Sequence, residues 1–121
     1  MLYAILEGHK VILVSNVLEW AMKYSESNRH IALHEISQDC TIKELQLQLG
    51  WEAADDSFVV STVFMGINHN FFSGKPLWFE TMVFPEINGN SFQNRYETWE
   101  EAETGHTFTI SLVLDFLKAK K

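Results

Sequence analysis

The sequence predicts an α+β domain, an antiparallel β-sheet of about four to six strands with a long C-terminal helix and a shorter N-terminal helix packed on one face. Three observations predict it. FVVSTVFM at 58–65 and LWFETMVF at 77–84 are aromatic and β-branched runs separated by turn formers, the composition of paired strands. TWEEAETGHTFTISLVLDFLK at 98–118 opens on a capping residue and repeats apolar residues every three or four positions. MLYAIL and VILV flank EGHK at the start of the chain, two short strands around a turn. With 121 residues, 46% hydrophobic and 21% charged, the chain is sized for one domain spanning 1–121.

The elements follow in order. Strands are expected at 1–6 and 11–14. Ser15 or Asn16 caps a helix over 17–25, with Val17, Leu18, Ala21 and Met22 along one face and a Glu19–Lys23 pair of favourable sense. Residues 30–36 alternate Ile31, Leu33 and Glu35 against Ala32, His34 and Ile36, a strand whose buried face is open. His30 and His34 share a face by this count, as a surface metal pair, a pH-sensitive spot or simply an exposed strand. At 42–50 the signals conflict. LQLQL alternates with period two, while Thr41 and Glu44 match a capping box and Gly50 a helix stop, so a short helix is expected. Residues 51–57, 68–76 and 85–91 read as loops, and 92–96 as a last short strand.

On the final helix Thr98 is the cap and Glu101 its capping-box partner. Glu97, Glu100, Glu101 and Glu103 suit its positive N-terminal end, and Lys118, Lys120 and Lys121 its negative end. Trp99, Ala102, His106, Ile110, Val113 and Leu117 form one face toward the sheet. A histidine inside that face needs a hydrogen-bond partner whether or not it does chemistry.

Charge narrows the function classes. Sixteen acidic against nine basic residues give a net charge of −7, with no basic cluster outside the last four residues, so direct nucleic-acid binding is disfavoured. Surplus acid keeps a small protein soluble, and it also attracts a basic surface on a protein partner. The lone Cys40 forms no internal disulfide and fits a reducing cytoplasm. Glu7, Gly8, His9 and Lys10 interrupt the opening stretch, which matches neither a secretory nor a membrane segment.

Catalytic patterns are weak. Cys40 has no histidine beside it, no GxSxG elbow occurs, and the glycines are isolated rather than grouped as a phosphate loop, so no cofactor is expected. A small-molecule or nucleotide pocket, binding or hydrolytic, would need His69, Glu80, Arg95 and His106 to converge. His69, Glu80 and His106 are metal-ligating types, but no HExxH or HxH spacing supports a metal site, and none is expected. Phe71, Phe72, Trp78 and Trp99 flank the loop and the helix start, and such an aromatic group rimmed by acids suits a protein-contact surface, with Glu97, Glu100, Glu101 and Glu103 presenting negative charge; the competing reading is that Phe71 and Phe72 close the end of the sheet.

The runs STVFMGINHNF, KPLWFETMVF and RYETWEEAETGH, in that order, resemble a group of small uncharacterised proteins encoded by bacteriophages and prophages. The resemblance covers the C-terminal half, with a weaker likeness in MLYAILEGHK, and the segment from Cys40 to Ser57 stands out as an insertion. It implies phage or prophage origin and no particular activity. The expected function is non-catalytic: an acidic, inhibitor-like or decoy-like protein that binds a host or defence protein in the host cytoplasm. A homodimer through an uncovered edge strand at 1–14 or 58–65 is a further expectation.

Overall fold

The structure, a computed structural model, describes residues 3–26, 30–45, 56–67, 76–87 and 89–120. In chain order its elements are β1 (Tyr3–Glu7), β2 (Lys10–Val14), α1 (Val17–Glu26), β3 (His30–Ile36), β4 (Ile42–Glu44), β5 (Phe58–Phe64), β6 (Phe79–Ile87), β7 (Asn90–Tyr96) and α2 (Trp99–Ala119). β3 to β7 form a five-stranded antiparallel sheet in the order β4-β3-β5-β6-β7, and β1 and β2 form a separate hairpin. The long α2 lies across β3, β5, β6 and β7, so the α+β class holds.

Alternation explains which face meets α2. Phe58, Val60, Thr62 and Phe64 on β5 line up with Phe79, Thr81 and Val83 on β6, and with Ala32, His34 and Ile36 on β3. Most of these are buried. They fall into two apolar groups. Phe64, Phe79 and Tyr96 join Ala4, Trp78 and Ala102 near the start of α2. Ile36, Phe58, Val60 and Val83 join Val113 and Leu117 near its end. α2 buries Ala102, His106, Thr109, Val113 and Leu117. Thr109, rather than Ile110, takes the fully buried position, because its hydroxyl donates back to the Gly105 carbonyl at 2.7 Å and so enters the interior satisfied.

The hairpin is a two-residue loop between Glu7 and Lys10, with Gly8 at φ 62°. It is fastened to the sheet by Ala4 N–H donating to the Gly66 carbonyl at 2.8 Å, and His9 at its tip stacks on Trp99 at 4.0 Å. Asn16 caps α1, its side chain accepting from Leu18 and Glu19 N–H. α1 rests on the hairpin through Trp20, whose ring lies 5.0 Å from Tyr3. The indole, the largest apolar group on the described helix surface, takes that contact, so the expected stripe points outward: Leu18 is 72% and Met22 67% exposed.

Several expectations are corrected. The helix expected at 42–50 begins instead as β4, Ile42, Lys43 and Glu44 pairing with Ile36, Glu35 and His34; residues 46–50 lie outside the described residues. The Thr41 amide does not start a helix. It donates to Asp39 Oδ1 at 3.0 Å in a tight turn closed by Ser37 and Cys40, from which the chain enters β4. Asp39, accepting from Ser37 and Thr41, is held down at a pKa of about 2. β6 runs past the cis Phe84–Pro85 bond to Ile87, and β7 begins at Asn90, so the expected turn at 85–91 is shorter and the last strand longer. A bulge between Val83 and Ile87 accommodates the proline. A bulge between His30 and Ala32 turns His30 onto the face of Val63, away from α2, so His30 and His34 do not share a face. β5 is paired on both sides and offers no edge for a second copy, whereas β2 is an outer strand of its hairpin.

Gly105 admits a close approach: a Cβ there would overlap the Tyr96 phenol ring. Intrinsic propensity predicts that Gly105→Ala stabilises the helix by about 1 kcal/mol, whereas overpacking predicts a loss of about 1–3 kcal/mol. We expect the loss in denaturant unfolding, and its reversal in a Tyr96→Ala background; a stabilised single variant would contradict this contact.

Candidate functional site

Between the two apolar groups runs a layer of polar side chains. Nδ1 of His34 and Nε2 of His106 share a hydrogen bond of 2.8 Å, Nδ1 of His106 and Oγ1 of Thr62 one of 2.6 Å, and Thr62 and Thr81 one of 2.6 Å. One helix and three strands meet in this chain. β5 and β6 place Thr62 directly opposite Thr81, and β3 places His34 opposite Val60, one pair along the same face. His106 reaches His34 and Thr62 directly, and Thr81 through Thr62, because it lies one turn beyond Ala102, whose small side chain brings α2 close to the sheet.

The chain is consistent in either direction. With the neutral His106 proton on Nδ1, the ring donates to Thr62, Thr62 donates to Thr81, and His34 Nδ1–H donates to His106 Nε2. With the proton on Nε2, every donation reverses. Charging His106 would leave these bonds possible but place a cation in the interior. His106 is 3% exposed, and burial, aided by repulsion from His34, lowers its pKa from 6.5 to about 4. Thr62 and Thr81 are fully buried, and only His34, half-buried, leads toward the surface, with Glu44 across from it on β4. The layer therefore leaves His106 almost no accessible surface.

The expected pocket does not assemble around His106. Glu80 and Arg95 do meet, as a cross-strand ion pair of 3.0 Å that also takes a hydrogen bond from Gln93, but their register puts them on the sheet face opposite α2. The sheet separates them from His106. His69, Phe71 and Phe72 lie outside the described residues. Among the described residues no group of three His, Cys, Asp or Glu side chains is placed to hold a metal ion, and no helix is long and apolar enough to cross a membrane.

The acidic start of α2 divides into two roles. Thr98 accepts from Glu101 N–H at 3.1 Å and donates to the Glu101 carboxylate at 3.1 Å, closing the cap, and Glu103 accepts from the Trp99 indole. The side chains of Glu97 and Glu100 have no hydrogen-bond or ion-pair partner among the described residues. Beside them, between β7 and α2, lies a groove of about 510 Å³ lined by Tyr96, Glu100, Glu101, Thr104, Gly105 and Phe108. Phe108 is 60% exposed.

Sequence reading placed His106 on the inner face but missed His34, Thr62 and Thr81 as its partners. A signal was present: threonines at buried register positions, Thr62 in step with Val60 and Phe64, Thr81 in step with Phe79 and Val83. Comparison with protein families, curated proteins and solved structures gave no match, so the site rests on geometry alone.

The His106 shift carries a pH dependence. Folding favours its neutral form, so the contribution is complete above the unfolded value of 6.5 and is lost as pH falls toward about 4. From this group alone the loss reaches about 3 kcal/mol at the acid end. Urea unfolding of wild type and His106→Gln from pH 7 to pH 4 is expected to show a shallower loss in the variant by that order; parallel pH profiles would contradict it.

Proposed function

We propose that the protein is a non-catalytic binding domain that engages a basic surface of a host or defence protein through the acidic start of α2. The observation that carries this reading is the pairing of Glu97 and Glu100, without internal partners among the described residues, with the groove whose rim bears the exposed Phe108. Carboxylates steer a cationic partner and an aromatic anchor holds it, the division of labour found at protein interfaces. The net charge of −7 supports the same direction of recognition. The sealed surroundings of His106 and the placement of Glu80 and Arg95 on the opposite face weigh against a catalytic centre at those residues. The resemblance to phage and prophage proteins suggests where such a domain acts: in the cytoplasm of a bacterial host.

The test is capture from bacterial lysate by wild type beside a Glu97→Lys, Glu100→Lys variant, each at low and at high salt. A protein retained by wild type, lost by the variant and released by salt supports the reading. No capture, or the same proteins on both baits, overturns it.

A further inference from the structure

The groove carries a more specific chemistry than negative charge. Tyr96 forms its floor, 9% exposed, and its hydroxyl is buried without a hydrogen-bond partner among the described residues. A buried phenol normally finds a partner, so an unpaired one at the base of a groove marks a place for a ligand group. Gly105, which also lines the groove, lets the end of that ring sit against the helix backbone; any Cβ there would overlap it. Glu100, Glu101 and the exposed Phe108 line the groove from α2, and among the described residues no basic side chain does. The volume of about 510 Å³ falls within the roughly 300–1,000 Å³ of small-ligand sites.

We propose that this groove receives an arginine side chain from a basic segment of the partner protein, a proposal that rests on the binding role given above. A guanidinium is planar and carries several donors in a fixed fork. It can therefore donate to a carboxylate and to the Tyr96 hydroxyl at once while its face lies on Phe108. An ammonium group is a compact, strongly hydrated point charge that suits the carboxylates but not the combination. The positive end of the α2 dipole opposes a cation here, but it amounts to about half an elementary charge against two carboxylates. A neutral ligand would leave those carboxylates uncompensated on binding.

The test titrates isotope-labelled full-length protein with a short glycine-serine peptide carrying one central arginine, and with its citrulline and lysine counterparts, following backbone amides by NMR. The arginine peptide is expected to bind with a dissociation constant below about 1 mM and to shift the amides of Tyr96, Glu100, Thr104, Gly105 and Phe108. Citrulline is expected to bind at least about ten-fold more weakly, and lysine several-fold more weakly. Glu100→Gln and Phe108→Ala, both exposed and folded by expectation, should each weaken the arginine peptide about three- to ten-fold. Absence of saturable shifts, shifts centred elsewhere, equal binding of citrulline or lysine, or full binding to both variants overturns the assignment. Running lysate capture with Phe108→Ala separates the two proposals. Capture that survives in this variant without arginine-peptide binding removes the groove but keeps the acidic binding role. Peptide binding by wild type with no captured protein does the reverse.

Discussion

The fold depends on one buried imidazole. Apolar contacts between α2 and the sheet are non-directional, and the two apolar groups at its ends would tolerate some sliding or rotation of the helix. His106 does not. Its two nitrogens must meet His34 on β3 and Thr62 on β5, and Thr62 must meet Thr81 on β6, or buried polar groups are left unpaired at about 1–3 kcal/mol each. A chain that ties a helix to three strands through directional bonds fixes both the rotation and the height of α2 over the sheet. Everything nearer the surface follows from that placement. It brings Gly105 against Tyr96, aligns Ala102 with the Phe64 and Phe79 group, and sets Glu100 and Phe108 on the flank that faces out beside β7.

Interior and surface thus have separate duties. His106 stood among the candidate pocket residues in the sequence, yet it and His34 share a hydrogen bond and His106 is buried. The recognisable chemistry of the exterior lies a turn away on the same helix, where carboxylates and an exposed ring border a groove. The hairpin links the two regions: His9 covers Trp99, whose indole in turn donates to Glu103, so part of the acidic group is held in place while Glu97 and Glu100 remain outside that network. The aliphatic residues of α1 stand apart, displayed on the far side of the hairpin.

Much of this was legible in the residues. The class of the fold, α2 with its Thr98 cap, and β3 and β5 follow from periodicity and capping alone, because each has a consistent local signal. His106 was legible as a buried polar group in need of a partner, but not its partners, since pairing across strands depends on register. The bulge after His30 shows how. One extra residue reverses the faces of everything before it, and strict alternation grouped His30 with His34 when only His34 faces the helix. At Thr41 a capping box with the right spacing competed with a β-turn whose Asp39 side chain takes the same amide, and tertiary pairing with β3 decided between them. The α1 stripe misled for a related reason: helical periodicity identifies a face, but a single tryptophan on another side determined which way it lies.

The most direct test of the central claim is to follow the imidazole nitrogens of His106 and His34 by long-range nitrogen–proton NMR between pH 8 and pH 4. A sealed, hydrogen-bonded ring predicts that His106 stays neutral, in one tautomer with a slowly exchanging ring proton, until well below pH 6.5. A His106 that titrates near 6.5 with rapidly averaging tautomers would mean that the ring is solvated, and that the polar layer does not hold α2 to the sheet.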